Sequence, residues 1–330
     1  FILSDEKTLL SEAAIAKLNS YLNRQYSITQ LETYAKCPFK FFVEKVLNVQ
    51  LIEEPTEDVE AMEMGNVLHN ILFNFYTHLR KENIQLDTSN PDLIEKCVDI
   101  IFEIAEKKIL QATFKSPITF YEKEKIFGIG GNKSESILSR FIEYEAENNK
   151  DYYPAYFEVR FGSIRDENSD NQLSNSKPIK IDGIKLKGKI DRIDLAKSDD
   201  SFSIVDYKLS GKKPTFRELK EGISLQLPVY LFAASELLKS KYNRTFSPDQ
   251  MIIYSLKYSV DDFGKKPVSI RDKEIKTAEQ LIQTTLDHIK KYIEQISRGQ
   301  FGLSPHEGRE SLVCKYCNFR GICRIGSSVN

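Results

Sequence analysis

With 330 residues, 41% hydrophobic, 29% charged and 11% aromatic, the chain is long enough for about two domains or for one large domain with an insertion. That balance excludes disordered and collagen-like chains, and no run approaches the roughly 18 apolar residues of a membrane span. Forty-seven basic against 48 acidic side chains, net −1, exclude a surface that coats nucleic acid wholesale.

Charge is nevertheless segregated. Lys180 to Lys220 holds eleven basic and seven acidic residues, whereas Glu44 to Glu63 holds one basic and seven acidic. Phe1 to Leu10 lacks a charged-then-apolar secretory pattern, so no membrane association and a cytoplasmic setting are expected. The start at Phe1 rather than Met is expected of a piece cut from something longer.

In chain order, residues 1–26 read as a leader or linker and Ser27 as the N-cap of a helical part that extends to about residue 150. Pro38 breaks its first helix, and Glu53 to Glu60 is an acidic loop around Pro55. Val67, Leu68, Ile71, Leu72, Phe75 and Leu79 mark one amphipathic helix from Met64; further helices are expected at Leu93 to Leu110 and around Ser134 to Ala146. After Tyr153-Pro154 the period becomes two. Tyr156 to Ile164 reads as a strand, Arg165 to Lys177 as a polar loop, Asp182-Gly183 as a hairpin turn, and Phe202 to Lys208 as another strand. Helix returns at Phe216 to Leu238, strand at Ile252 to Leu256, and a long helix at Ala278 to Ile296. Together these predict one mixed α/β domain over 27–330: a helical part (27–150), an α/β core (151–298) with a central mixed sheet flanked by helices, and a Cys-rich segment (299–330).

The most informative stretch is Gly188 to Leu195 followed by Phe202 to Lys208. Pairing the two segments about a turn between Ser198 and Asp199 sets Leu195 opposite Phe202, Ile193 opposite Ile204, Asp191 opposite Asp206 and Lys189 opposite Lys208, all on one sheet face. Two carboxylates directly opposed repel unless a cation lies between them, and a one-residue slip would expose Phe202 and Ile204. The pattern therefore favours a divalent-metal site over a solvated hairpin end, with Lys208 two residues past Asp206 placed to stabilise charge on a phosphate.

Asp191 followed by Asp206-Tyr207-Lys208 resembles the PD-(D/E)XK nuclease signature, and in particular its RecB-like branch. Gly65-Asn-Val-Leu-His69, Gly188-Lys-Ile-Asp191, Asp206 to Lys208 and Gln226-Leu-Pro-Val-Tyr230 match that branch's four motifs in order. The resemblance implies a restriction-endonuclease-like core and a Mg²⁺ or Mn²⁺ site made of His69, Asp191 and Asp206. It further implies Lys208 beside the reacting phosphate and Gln226 and Tyr230 lining the cleft. Glu158 resembles an acidic position that often precedes the Gly-x-x-Asp strand, Arg192 and Asp194 read as a structural ion pair, and Tyr207 and Tyr230 as aromatics available for stacking. His78 reads as structural, and His288 and His306 have no partner pattern.

An odd count of five cysteines argues against a disulfide framework. Cys314, Cys317 and Cys323 are compact enough to share one centre, Cys37 supplies a fourth thiolate, and zinc or an iron–sulfur cluster uses such a set. One cysteine before the nuclease motifs and three after them resembles the iron–sulfur staple of AddB-type nuclease domains. Ser27 to Phe42 likewise matches the opening of those domains. The resemblance implies a [4Fe–4S] cluster, with zinc the alternative; Cys97 reads as a buried apolar thiol. Gly128 to Ser134 only superficially resembles a phosphate loop, its glycine and lysine being wrongly spaced. The implied activity is metal-dependent exonucleolytic hydrolysis of DNA at single-stranded ends in double-strand break repair. The implied partner is a helicase subunit or a helicase region of the same longer polypeptide. The competing expectation is a non-catalytic DNA-end-binding module, against which the intact Asp191, Asp206 and Lys208 argue.

Overall fold

The computed structural model describes residues 11–49, 61–112, 114, 120–164, 166–306, 308–309, 313–315 and 317–323. In order the elements are α1 (Glu12–Leu22), β1 (Gln25–Ser27), α2 (Ile28–Lys36), α3 (Pro38–Phe41), α4 (Ala61–Lys81), α5 (Pro91–Gln111), α6 (Phe120–Phe127) and α7 (Ile137–Asn148). They continue with β2 (Tyr152–Phe161), β3 (Ile179–Ile181), β4 (Ile184–Ala196), β5 (Ser201–Lys208), α8 (Phe216–Lys220), α9 (Gln226–Tyr242), β6 (Ser247–Ser255), β7 (Gly264–Val268) and α10 (Ala278–Ser297). A single helical turn at Arg320–Cys323 closes the described chain. The expected acidic loop falls largely outside the described residues.

β4 is the hub of a mixed seven-stranded sheet ordered β1-β4-β5-β6-β7, with β2 and β3 also paired to β4. The Asp182-Gly183 turn has φ of 47° and 88°, the doubly left-handed geometry that a tight hairpin needs and an Asp-Gly pair supplies. Alternation along β4 and β5 then divides the core. Ile193, Leu195, Phe202 and Ile204 face α9 and α10 in one apolar cluster, while Val205 and Tyr207 join α4, α5 and α7 in the other. The sheet is thus covered on both faces, and the helical part expected before residue 150 supplies one of the two layers. Among the described residues no helix is long and apolar enough to cross a membrane.

Gly188 is fixed by packing rather than by backbone conformation. A Cβ there would sit 2.7 Å from Phe161 Cζ and 3.1 Å from Ile28 Cδ1, so only glycine lets β2 and α2 close on β4 just before Asp191.

Four elements depart from expectation. The segment expected as a leader contains α1, whose Leu18 is buried in the main core, and most of β1, which pairs in parallel with β4. The helix expected over Phe216 to Leu238 is two helices. Gly222, at φ 71°, turns the chain between them, and a Cβ there would strike His288. β7 carries Lys265, Lys266 and Pro267 along the sheet's outer edge, a composition that blunts edge pairing and also hides a strand from periodicity. α6 was not anticipated.

Below the sheet lies the ionic network expected of Arg192 and Asp194. Arg192 is fully buried; Nε and Nη2 donate to the two Asp194 oxygens at 2.5 and 2.7 Å. Nη1 lies 2.7 Å from Glu145 Oε2 and donates to the Tyr76 hydroxyl at 2.9 Å. Lys265 Nζ approaches Glu145 Oε1 at 3.5 Å. The network therefore ties α4, α7 and β7 to the middle of β4. Burial pushes the Glu145 carboxyl up, but Arg192 and then Lys265 outweigh it and bring its pKa from 4.5 down to about 2. A depression of that size is worth about 3 kcal/mol at neutral pH. The contribution is complete above the unfolded value and is lost as the pH falls through the folded one.

Glu145→Gln should accordingly cost about 3 kcal/mol in denaturant unfolding at pH 7. The gap to the unsubstituted protein should shrink as the pH is lowered from 5 towards 2; a gap independent of pH would show that the carboxylate charge is not what stabilises this layer.

Candidate active site

The β4–β5 ladder has the register expected from sequence, Leu195 with Phe202 and Ile193 with Ile204, and its last pair is Arg192 with Val205. There the strands part, β4 continuing beside β2 and β5 beside β6. Asp191 and Asp206 stand at this fork, 7% and 2% exposed. The Tyr207 N–H donates to Asp191 Oδ2 at 3.0 Å, so a carboxylate takes up the ladder donor left over where the strands separate.

α4 brings His69 to the fork. Its Nε2 lies 3.3 Å from the Tyr207 carbonyl, and its Nδ1 lies 3.2 Å from Glu158 Oε1 and 3.5 Å from Asp191 Oδ1. A carbonyl only accepts, so Nε2 carries the proton and Nδ1 faces the carboxylates, an outer hydrogen bond that commonly fixes a metal-binding imidazole. Glu158 reaches this position through an unusual backbone. The β2–β4 register is constant from Tyr156 to Phe161, placing Glu158 level with Asp191, yet its φ is 50°. A glutamate in left-handed backbone costs about 1–3 kcal/mol and persists where surrounding structure imposes it. Here the Glu158 carbonyl accepts from Asp170 N at 3.2 Å, and its carboxylate pairs with Lys189. One nitrogen or oxygen atom each from His69, Glu158 and Asp191 lies within 4.8 Å of the others. This is a hard, mixed N/O donor set of the kind that holds a divalent cation.

Asp206 is held by different partners. Gln226, the first residue of α9, donates through Nε2 to Asp206 Oδ1 at 2.7 Å, and Lys208 Nζ lies 3.0 Å from Oδ2. The N-terminus of α9 is itself clamped: Glu32 Oε1 accepts from Leu225 N and Gln226 N at 2.8 and 3.0 Å. Tyr230, one turn along α9, is nearly buried, hydrogen-bonded to Gln226 and packed edge-on to Phe161. Asp191, Asp206, His69, Lys208, Gln226 and Tyr230 all line one cavity of about 340 Å³. Gly65 lines it too; a Cβ there would meet only Leu209, at 3.8 Å, so this glycine widens the cleft rather than relieving strain.

The electrostatics are those of a site built around missing positive charge. Burial and then Asp191 push the Asp206 carboxyl up to about 7 against the pull of Lys208 and His69. Burial alone would lower His69, but Asp191 and Glu158 prevail and raise it to about 10. In the protein alone the imidazolium thus stands between the carboxylates as a substitute cation. Burial likewise opposes the charge on Lys208, and Asp206 followed by Asp191 restores it, so the ammonium is retained.

The cysteines meet at the other end of α2. Tyr34 OH, Ser304 Oγ, His306 Nε2 and Phe39 N donate to the carbonyls of Gln300, Lys36, Ala35 and Gly302, all between 2.7 and 2.9 Å. These bonds lay residues 300–306 along the end of α2 and the start of α3. As a result Cys37, Cys314, Cys317 and Cys323 line one small cavity, all as free thiols. Burial first, and then Cys317 and Cys314, push the Cys37 thiol up. Cys97 lies apart, fully buried between the helices of the other layer.

Residues 25–324 match the PD-(D/E)XK nuclease superfamily. The chain belongs to that superfamily. The superfamily match runs from β1 to just past Cys323, and so takes in both the fork and the cysteines. The chain also resembles bacterial proteins named as AddB-type subunits of ATP-dependent helicase/deoxyribonucleases, and thus AddB-type nuclease domains. It is 26% identical to that of Caldanaerobacter subterraneus subsp. tengcongensis over 91% of this chain and 30% of the relative. It is 29% identical to that of Natranaerobius thermophilus over 80% and 22%, and 20% identical to that of Clostridium tetani over 92% and 30%. The chain therefore spans less than a third of the length of these relatives.

Against the sequence expectations for this nuclease fold, the fork, the Arg192–Asp194 pair and the gathering of four cysteines appear as read. Tyr207 does not. It is 4% exposed, its ring packs against Phe141 and Tyr254, and its hydroxyl accepts from Arg192 at 3.4 Å, so it cannot stack on a base. Its position on the face opposite Asp206 was legible from the two-residue period. Sequence reasoning left Glu158 without a role and missed Lys189 and Glu32 altogether. A lone acid in a strand and another inside a helix give no signal until the chain folds. His288 and His306 do find partners, the carbonyls of Lys220 and Ala35, both at 2.9 Å.

Because Asp191 and Asp206 repel when no cation is bound, Asp206→Asn should raise the melting temperature in chelator by a few degrees. It should also reduce any rise produced by Mn²⁺. A lowered melting temperature in chelator would show that the pair is not strained.

Proposed function

We propose that the chain is a catalytic nuclease domain that hydrolyses DNA phosphodiesters with Mg²⁺ or Mn²⁺. In this reading it acts as an exonuclease on single-stranded ends during cytoplasmic double-strand break repair. A helicase subunit, or a helicase region of the same longer polypeptide, supplies the strand. The observation that carries the reading is the pair of buried carboxylates at the fork, with Lys208 3.0 Å from one and His69 3.5 Å from the other. The relatives are named as helicase/deoxyribonuclease subunits, which supports the same chemistry and the same setting.

His69, Asp191 and Asp206 are the proposed ligands, and Glu158 lies close enough to His69 and Asp191 to join them. The cation, when bound, supplies Lewis-acid polarisation of the phosphate and acidifies water. The chain's own residues do the rest. The bond from His69 to the Tyr207 carbonyl keeps Nδ1 turned towards the ligand position. Gln226 pins one oxygen of Asp206, leaving the other beside Lys208. The Lys208 ammonium, held charged by both carboxylates, is placed to offset negative charge growing on the phosphate oxygens. Tyr230 and Gln226 form the wall against which the sugar–phosphate chain is positioned.

Labelled single-stranded oligonucleotide should be shortened from its ends, faster than blunt duplex, only with added Mg²⁺ or Mn²⁺. Asp206→Ala and Lys208→Ala should each lower the rate at least a hundredfold while keeping the circular dichroism of the unsubstituted chain. Undiminished cutting by either variant would end the catalytic assignment.

We further propose that Cys37, Cys314, Cys317 and Cys323 hold a [4Fe–4S] cluster. Four thiols around one cavity suit a cluster or zinc. Among the described residues, however, no three of these sulfurs lie within 4.8 Å of one another, whereas tetrahedral zinc at about 2.3 Å from each sulfur needs spacings of about 3.8 Å. The wider arrangement favours the larger group. Closing so long a loop also restricts the unfolded chain strongly. Anaerobically purified protein should be brown and hold iron and sulfide in equal amounts. Cys314→Ala should lose the colour and melt earlier, Cys97→Ala should keep both, and stoichiometric zinc without iron would overturn the cluster.

A further inference from the structure

A second groove opens on the far side of Asp206. About 280 Å³ in volume, it is walled by α2, the loop after β5, α8 and the start of α9, and it shares only Asp206, Lys208 and Gln226 with the cavity that holds His69. The two spaces therefore form one cleft crossed at its midpoint by the catalytic pair. Each is near the lower end of small-molecule pocket volumes, which suits one or two nucleotides of a single strand rather than a duplex.

The charge lining the second groove is not what its composition suggests. Glu32 and Glu218 line it, yet both carboxylates are committed to backbone donors. Glu32 accepts from Leu225 N and Gln226 N, and Glu218 accepts from Thr215 N and Oγ1 at 2.8 and 2.9 Å. Lys212 and Lys213 keep their charge. Lys213 Nζ donates only to the uncharged carbonyl of Pro267 at 3.2 Å, and among the described residues the Lys212 ammonium has no ion-pair partner. The loop that presents them is fixed in place. Gly211 has φ 60°, and a Cβ on it would lie 2.3 Å from Ser255 Oγ, so the loop sits hard against β6 and Pro214 follows to stiffen it.

We propose that Lys212 and Lys213 bind the phosphates of the substrate strand on one side of the scissile bond, so that the strand runs from the His69 cavity across Asp206 and Lys208 into this groove. The proposal rests on the nuclease reading and assigns a substrate-binding site to residues which that reading leaves unused. Neither lysine touches the reacting atoms; each holds the strand in register, and the number of nucleotides gripped beyond the cut sets the minimum substrate length.

The test pairs Lys212→Glu/Lys213→Glu with Lys239→Glu/Lys291→Glu, a control of equal charge change on exposed helix surface. Binding of labelled oligo(dT) is measured in EDTA, where nothing is cut, across a salt series. The groove variant should bind at least tenfold more weakly, and its log affinity should fall less steeply with log salt by about 1.4, two phosphate contacts at roughly 0.7 each. The control should match the unsubstituted protein. With Mg²⁺, the groove variant's loss should fall on KM rather than kcat and should be larger for long oligonucleotides than for short ones. Equal weakening by groove and control variants, or unchanged affinity and salt slope, would overturn the proposal. Because the EDTA titration needs no cleavage, failure of the nuclease reading shows up separately, as unsubstituted protein that binds DNA without cutting it.

Discussion

Two acidic side chains forced together where β4 and β5 part company are the constraint around which the rest of the molecule is arranged. The apolar pairs Leu195–Phe202 and Ile193–Ile204 fix the register, and with a period of two that register leaves Asp191 and Asp206 no alternative but to share a face. Hydrophobic burial thus supplies the energy that holds like charges close. The site answers with cationic groups: His69 against Asp191, Lys208 against Asp206, and Lys189 against Glu158. An Asp206 carboxyl pushed up to about 7 is the residue of repulsion these cations do not remove. A divalent ion would supply what is missing, which is why the pair reads as a cation site rather than as an ordinary charged strand end.

Holding such a fork open requires a rigid base. The buried cluster of Arg192, Asp194 and Glu145 lies one residue from Asp191 on the opposite face and draws α4 and α7 onto the sheet. α4 is also the helix that carries His69. Its orientation is therefore set twice, by Tyr76 at the network and by His69 at the Tyr207 carbonyl. Replacing so much buried charge with apolar side chains is often neutral or stabilising in proteins. Its presence here fits a demand for one fixed geometry more than a demand for stability. Glu158 belongs to the same pattern, its left-handed backbone kept in place by Asp170 and the flanking β2–β4 pairs.

Strong periodic signals were legible in the sequence, and so was everything that followed from strand register. The helices around Ile71 and Ile289, the hairpin at Asp182-Gly183 and the pairing of β4 with β5 all rest on apolar spacing or turn chemistry, which are local. β1 was invisible because three residues carry no period. β7 was hidden by Lys265, Lys266 and Pro267, which are there because it is an edge. At the site, Asp191, Asp206 and Lys208 were readable from the hairpin alone. His69, Gln226, Tyr230 and the cysteines needed the resemblance to a known motif set, since nothing local distinguishes them from a surface histidine, a helix start or free thiols. Tyr207 was misjudged because its motif neighbours drew attention away from the alternation that buries it.

Glu32 shows why the two ends of the chain belong to the site. It lies on α2, between Ser27, whose side chain caps that helix, and Cys37, which follows its last residue. Its carboxylate closes the N-terminus of α9, where two backbone N–H groups and the positive end of the helix dipole would otherwise attract any anion in the cleft. With that place filled by a fixed carboxylate, a phosphate has no competing seat beside Gln226, and Gln226 is left to hold Asp206. A continuous line of contacts thus runs from the cysteines through α2 and Glu32 to Gln226 and the catalytic carboxylate. The residues that draw the cysteines together, Ser304 on Lys36 and His306 on Ala35, fasten the last turn of that same helix. Whatever holds the four thiols therefore also determines where Glu32 sits, and through it how freely the α9 terminus is exposed to substrate.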